Sequence, residues 1–191
     1  IKWNILKFAE TLLPIIHRNK DKSIQIAQSA IDKFDEIWEK KYYSMMLKKI
    51  GFNIHDINLY PLIDELLFVM RKMNMDYTNT FWYLSQENIP KNKLNINSDF
   101  IQWQKKWHNC IKKTTNLKES KRLMKKYNPA IIPRNNLVEE AIEKAVNGNL
   151  YDINRLLKLF STPYLYKEGL EEFMKPPQSN FEKCFQTYCG T

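Results

Sequence analysis

The 191-residue chain is 43% hydrophobic and 13% aromatic, as packed globular proteins are, and it carries a net charge of +9. Its four glycines are too few for glycine-dependent β-turn architectures or phosphate-cradling loops, because both need backbone at positive φ. The sequence contains no run of about 18 apolar residues, so no membrane-spanning helix is predicted. Three cysteines are too few for a disulfide scaffold, which indicates a reducing compartment.

Apolar residues in the first part of the chain recur at helical spacing. The first sixteen residues form a short apolar helix, which Pro14 ends or bends. Apolar positions from 24 to 45 then alternate steps of three and four, which predicts one long helix. This helix begins near Asp21 or Ser23 and ends at Gly51.

The next helices have recognisable starts. Pro61 is placed for the first turn of an apolar third helix, and Asp76 can cap the short helix after it. Residues 86–97 are polar, contain a proline and indicate a surface loop. Ser98 is then predicted to cap a helix that aligns Trp103 with Trp107. These two indoles could stack on nucleic-acid bases, or they could belong to the core.

The charge excess is concentrated in residues 105–126, which contain nine basic side chains and one acidic side chain. The helical spacing of Lys118, Lys121, Arg122 and Lys125 predicts a basic face. Such a face could contact the phosphates of a nucleic acid or an acidic protein surface. The alternative is a solvated lysine face without a partner.

The last third of the chain is also helical. Asn128-Pro129 ends the basic helix, because the residue before proline disfavours helical backbone. Residues 137–146 form another helix with a left-handed cap at Asn147-Gly148, and Asn149 can cap the helix that follows. No alternating run of strand type occurs. We therefore predict an all-α fold of eight or nine helices.

No strong catalytic constellation occurs in the sequence. The three histidines are scattered, and none lies at a metal-ligand spacing from another histidine or a cysteine. Carboxylate pairs such as Glu139 and Glu143 are typical of solvated helix faces. We therefore predict no catalytic, cofactor-binding or metal-ligating residue in this chain. Cys189, near the end of the sequence, is a candidate for an accessible and oxidisable thiol.

Several segments resemble the selenoprotein O (YdiU) family of protein adenylyltransferases. They are Trp3-Asn4-Ile5-Leu6 with Pro14, Asp76-Tyr77-Thr78-Asn79-Thr80-Phe81, Asn128-Pro129 with Arg134-Asn135, Glu140-Ala141-Ile142 with Gly148, Pro163-Tyr164, Pro176-Pro177 and Cys189-Gly190-Thr191. Each is weak alone, but their order and spacing match the family along the whole chain. Asn149 departs from the pattern, because the family usually has aspartate there.

The resemblance implies an enzyme of kinase-like (pseudokinase) fold that transfers AMP from ATP, with Mg or Mn, to Ser, Thr or Tyr hydroxyls of proteins. The family's ATP- and metal-binding residues precede the first matching segment. The chain, which starts at Ile1 without an initiator methionine, is therefore expected to be a C-terminal piece that is inactive alone. Residues 1–50 would end the kinase-like C-lobe, and residues 51–191 would form a C-terminal helical region.

The implied partners are the N-terminal kinase-like part and the protein substrates of the whole enzyme. The resemblance also makes Cys189 a redox-regulatory candidate, paired with a thiol in that missing part. The first helix is apolar around most of its circumference, which predicts an exposed patch or self-association through it. We expect a bacterial cytoplasm, or mitochondria if the source is eukaryotic. A helical scaffold without catalysis and a basic nucleic-acid-binding module, using residues 105–126, remain the alternatives.

Overall fold

A computed structural model describes residues 1–87, 97–178, 181 and 185–186. Within these ranges the chain is all-α, as predicted, and forms nine α-helices of eight or more residues, one single-turn α-helix and one 3-10 turn. The helices are α1 (Lys2–Ile16), α2 (Lys20–Asp32), α3 (Phe34–Lys49), α4 (Tyr60–Lys72), α5 (Tyr77–Leu84), α6 (Ser98–Thr114), α7 (Leu117–Tyr127), α8 (Asn135–Val146), α9 (Tyr151–Phe160) and α10 (Glu171–Met174), with the 3-10 turn at Ile57–Leu59.

The chain divides into two compact units, Ile1–Met46 and Leu47–Thr191. In the first unit α1 packs against α2, and the Ser23 hydroxyl donates a hydrogen bond to the Leu13 carbonyl at 2.5 Å. No residue of α1 is buried, and Trp3, Phe8 and Ile15 are 67%, 64% and 80% exposed. The first helix therefore presents the apolar surface that its sequence predicts.

The prediction of one long helix from residue 21 to Gly51 is wrong, because the structure divides it at Lys33 into α2 and α3. Neither glycine nor proline marks this break. Packing against α1 buries Ser23 and Ile31 of α2, whereas Ile37 and Trp38 of α3 are about half exposed. The apolar stripe is continuous in sequence, so its period gives no sign of the division at Lys33.

The second unit has a dense aromatic core. Trp103 and Trp107 are fully buried, and their indole rings stack with centroids 5.8 Å apart. The Trp103 indole N–H donates to the Leu62 carbonyl of α4, and that of Trp107 donates to the Ile50 carbonyl, both at 2.8 Å. Both indoles therefore belong to the core, and neither is available to stack on a nucleic-acid base.

Helix ends explain most element boundaries. Pro61 lies in the first turn of α4, and the Asp76 carboxylate accepts from the Asn79 N–H to cap α5, both as predicted. The predicted cap of α6 is wrong by one residue. The Asn97 side chain accepts from the Phe100 N–H at 2.9 Å, and Ser98 is the first helical residue.

A second core cluster connects α5, α8, α9 and α10 of the second unit. It consists of Trp82, Ala130, Ile131, Ala141, Leu156, Leu170, Phe173 and Met174. The cluster holds α10, which precedes the end of the chain, against the helices before it.

Candidate functional site

The second unit contains a buried ion pair between Arg134 and Asp76. Arg134 precedes α8, and its side chain is 6% exposed. Its guanidinium donates to the Asp76 carboxylate from Nη1 at 2.9 Å and from Nη2 at 3.0 Å. Two parallel bonds of this kind fix both the distance and the orientation of the two side chains.

Two further bonds connect this ion pair to α10. Arg134 Nη2 and Asn79 Nδ2 both donate to the Met174 carbonyl, each at 2.9 Å. Residues 76, 134 and 174 are thereby held at one point, and the segment after α10 starts from it. We call this group, made of Asp76, Asn79, Arg134 and the Met174 carbonyl, the polar junction. The Arg134 and Asp76 charges are paired with each other, so the polar junction is suited to holding α5, the start of α8 and α10 in position.

A second polar contact fixes the end of α3 against the end of α7. Asn128 Nδ2 donates to the Lys49 carbonyl at 2.8 Å, and Lys49 Nζ donates to the Tyr127 carbonyl at 3.2 Å. The Lys49 ammonium also lies 5.1 Å from the centre of the Phe81 ring. Burial lowers the pKa of Lys49 below its usual value.

The predicted basic face is only partly exposed. Lys118, Arg122 and Lys125 are exposed on α7, whereas Lys121 is 4% exposed. The Lys121 ammonium donates to the main-chain carbonyls of Gln86 and Glu87. Burial, the largest cause, lowers the pKa of Lys121. The negative charge of Glu87 opposes this shift, and the positive charge of Lys125 adds to it.

The inclusion of Lys121 in a contact face is therefore wrong. Lys121 lies between Ser120 and Met124, which are both buried on α7. Three- and four-residue spacing groups residues on one side of a helix, but it does not tell whether that side faces solvent. Here the long lysine side chain satisfies two main-chain carbonyls of the segment after α5.

The described ranges contain no group of three or more His, Cys, Asp or Glu side chains that could hold a metal ion. Histidines there take part in local contacts, such as that between His55 Nε2 and the Tyr60 hydroxyl at 2.9 Å.

Cys189, the redox-regulatory candidate, lies outside the residues that the structure describes, as does Cys184. Cys110 on α6 is half-buried and unpaired. Among the described residues, no helix is both long enough and apolar enough to span a membrane.

The polar junction was not predicted from the sequence. Asp76 was recognised only as a helix cap, and Arg134 only as part of a motif. Its signal is a charged residue directly before each of two helices, Asp76 before α5 and Arg134 before α8. Opposite charges at two helix starts become informative only when the packing of those helices is known.

The chain matches the family model described as protein adenylyltransferase SelO over residues 1–161. Similar curated proteins bear the name protein nucleotidyltransferase YdiU. The chain is 41% identical over 191 residues to that of Pelagibacter ubique, and 37% identical over 191 residues to those of Bacillus cereus and Clostridium beijerinckii. These alignments cover 99 to 100% of the chain but only 39% of each relative.

Proposed function

Because the chain belongs to the SelO family of protein adenylyltransferases, we propose that it is the C-terminal helical part of an enzyme that transfers AMP from ATP to Ser, Thr or Tyr hydroxyls of other proteins. The hydroxyl oxygen forms the new bond to the α-phosphorus, and pyrophosphate leaves. ATP and a divalent cation, Mg²⁺ or Mn²⁺, are bound by residues of the remaining, kinase-like part. This chain has a structural and regulatory role.

The observation that carries the proposal is the family match over residues 1–161, combined with coverage of only 39% of the relatives' length. About three fifths of each relative has no counterpart in this chain. The nucleotide chemistry is therefore assigned to the part of the enzyme that this chain does not contain.

The exposed apolar face of α1 supports the same assignment. Phe8 and Ile15 are seven residues apart, so they share one side of α1, and each is more than 60% exposed. Trp3 is exposed on another side of the helix. Apolar patches of this kind mark surfaces that another protein segment covers. The kinase-like part of the same enzyme is the proposed partner, and self-association of the chain through α1 is the alternative arrangement.

Regulation is assigned to the end of the chain. Cys189 is proposed to form a disulfide with a thiol of the kinase-like part under oxidising conditions, with two electrons and two protons passing to a thiol–disulfide oxidant. The polar junction holds α10, and therefore the start of the segment that leads to Cys189.

The test compares the complete protein, expressed from its source gene, with the 191-residue chain alone. Each is incubated with ATP labelled at the α-phosphate, Mg²⁺ or Mn²⁺, and a reducing agent. Label is expected on protein with the complete enzyme and not with the chain alone. Label without the rest of the enzyme would refute the division of roles. Absence of label in both would favour a helical scaffold without catalysis.

A second arm tests the regulatory role in the complete enzyme. Oxidation should change AMP transfer by the unmodified enzyme, and Cys189→Ser should remove this response without lowering activity under reducing conditions. Cys110→Ser is the matched control, because it removes a thiol from α6, which has no role in the proposed regulation. An unchanged response in Cys189→Ser would refute the redox role while leaving the catalytic assignment intact.

A further inference from the structure

A cleft of about 500 Å³ lies in the second unit, lined by the loop after α3, the end of α6 and one side of α7. This volume is within the range of small-molecule sites. Its lining includes two cations, Arg122 and Lys126, with the polar side chains of Asn53 and Thr115. None of these side chains has a role in the proposed function.

The cleft lining has a net positive charge. Arg122 and Lys126 are four residues apart on α7, so their side chains leave the helix about 6 Å apart on one face. Neither forms an ion pair with any residue that the structure describes. The lining carboxylate, Glu119, accepts a hydrogen bond from the Thr115 hydroxyl at 3.0 Å. The described lining therefore carries two cations without an ion-pair partner and one carboxylate, which gives it a net charge of +1.

The walls of the cleft are held in place by a close contact. Gly51 has φ of +92°, and a Cβ added to it would lie 2.8 Å from Ser120 Cβ. This approach fixes the loop after α3 directly against α7. Ser120 also lines the cleft, and its buried hydroxyl has no hydrogen-bond partner among the described residues. The backbone on this side of the cleft is therefore held close to α7.

The lining also contains apolar surface. Ile54 is 44% exposed, and Leu123 is partly buried beside the cations of α7. A site that combines paired cations with apolar side chains suits an anion attached to an apolar or planar body. Arginine and lysine recognise phosphate in this way, with the guanidinium supplying two parallel donors.

We propose that this cleft binds a small organic phosphate. Arg122 and Lys126 hold the phosphate group, and Ile54 and Leu123 contact the organic body. The inference rests on the cleft alone and does not depend on the enzymatic role of the longer protein. It gives part of the charge excess in residues 105–126 a specific use.

The test is a calorimetric titration of the 191-residue chain at low ionic strength with AMP, adenosine and ribose 5-phosphate as probes. AMP should bind saturably, and adenosine, which lacks the phosphate, should bind at least tenfold more weakly. Ribose 5-phosphate should fall between them, because it keeps the phosphate but lacks the planar base. Equal affinities for AMP and adenosine would overturn the assignment of the cations to phosphate.

Matched variants separate the cleft from general electrostatic attraction. Arg122→Gln with Lys126→Gln should weaken AMP binding at least tenfold. Lys118→Gln with Lys125→Gln removes the same charge from exposed positions of α7 outside the lining, and it should change the affinity less than twofold. Equal weakening by both pairs would overturn the proposal, because the attraction would then belong to the whole basic segment.

A variant that adds a negative charge to the cleft provides a second test. Ile54→Asp places a negative charge in the cleft at a half-exposed position, so it should abolish AMP binding while the helical circular dichroism stays unchanged. Retained AMP binding in Ile54→Asp would contradict the site. Tighter binding of a single-stranded oligonucleotide than of AMP, unaffected by the Arg122 and Lys126 changes, would also contradict it and indicate a nucleic-acid surface.

Discussion

Arg134 donates two hydrogen bonds to the carboxylate of Asp76, a residue 58 positions earlier in the chain. The same carboxylate accepts from the Asn79 N–H at 2.8 Å and so caps α5. One side chain therefore begins a helix and neutralises a buried cation. The ion pair thereby joins two of the segments that carry the family resemblance.

Replacing Arg134 by methionine should destabilise the chain by about 3 kcal/mol. The change leaves the Asp76 carboxylate without its cation and the Met174 carbonyl without one donor, and breaking a buried ion pair costs roughly 3 to 5 kcal/mol. Asp76 is 22% exposed, which favours the lower end. Urea denaturation measures the effect. Arg71→Met, at an exposed position of α4, is the control and should change stability by less than about 0.5 kcal/mol. Equal losses in the two variants would contradict the role of the ion pair.

Gly51 and Gly148 provide a matched pair for the close contact between the loop after α3 and α7. Both have positive φ, at +92° and +84°, so alanine is strained at either position by about 1 kcal/mol. Only Gly51 faces another residue, since a Cβ there meets Ser120 Cβ at 2.8 Å, whereas nothing lies within 4 Å at Gly148. Gly51→Ala should therefore cost about 1 to 3 kcal/mol more than Gly148→Ala in thermal or urea unfolding. Similar losses of stability in the two variants would show that backbone strain alone, and not the contact with Ser120, determines the cost of replacing Gly51.

Local signals in the sequence predicted much of the fold. Gly51 ends α3 with positive φ, Asp76 caps α5, and Asn128 stops α7 before a proline, all as expected from residue type. The spacing of Trp103 and Trp107 was compatible with a place in the core or with stacking on a nucleic-acid base. Both side chains are buried in the structure, so they belong to the core. These features depend on a few neighbouring residues, so they are readable without tertiary information.

Features that depend on distant contacts were not readable. The burial of Lys121 and the pairing of Arg134 with Asp76 are decided by which helix packs on which, and the break at Lys33 has no glycine or proline to mark it. Helical periodicity shows that Lys121 shares a side of α7 with other cations, but not that carbonyls after α5 lie within its reach. The identity of the nucleotide-binding residues was also beyond this sequence, because the proposal assigns them to another part of the enzyme.

The start of α6 distinguishes two adjacent capping candidates. Asn97→Ala should destabilise the chain by about 1 kcal/mol, because its side-chain oxygen accepts from the Phe100 N–H at 2.9 Å. Ser98→Ala should have an effect within about 0.5 kcal/mol, since the Ser98 hydroxyl makes only a 3.5 Å contact with Asp99. Urea denaturation of the two variants gives the comparison. A larger loss in Ser98→Ala would move the cap back to the position that the sequence alone indicated.

His108 should make stability depend on pH in the mildly acidic range. Burial is the main cause that lowers its pKa below the usual 6.5, and the charges of Lys121 and Lys112 act in the same direction. The unfolded chain therefore binds this proton more readily than the folded chain. The contribution of His108 to stability is accordingly lost as the pH falls below 6.5 towards the lowered pKa.

Neutralising Lys112 should raise the pKa of His108, because one of the cations that disfavour its protonation is removed. Lys112→Gln is suited to this test, since Lys112 is exposed on α6. The pKa is measured by following the His108 ring protons in an NMR titration. Lys113→Gln makes the same charge change one residue further along α6 and should leave the pKa nearly unchanged, because Lys113 is not among the causes of the shift. Equal shifts in both variants would mean that His108 responds to the net charge of the segment, and the pH dependence of unfolding would then change equally in the two.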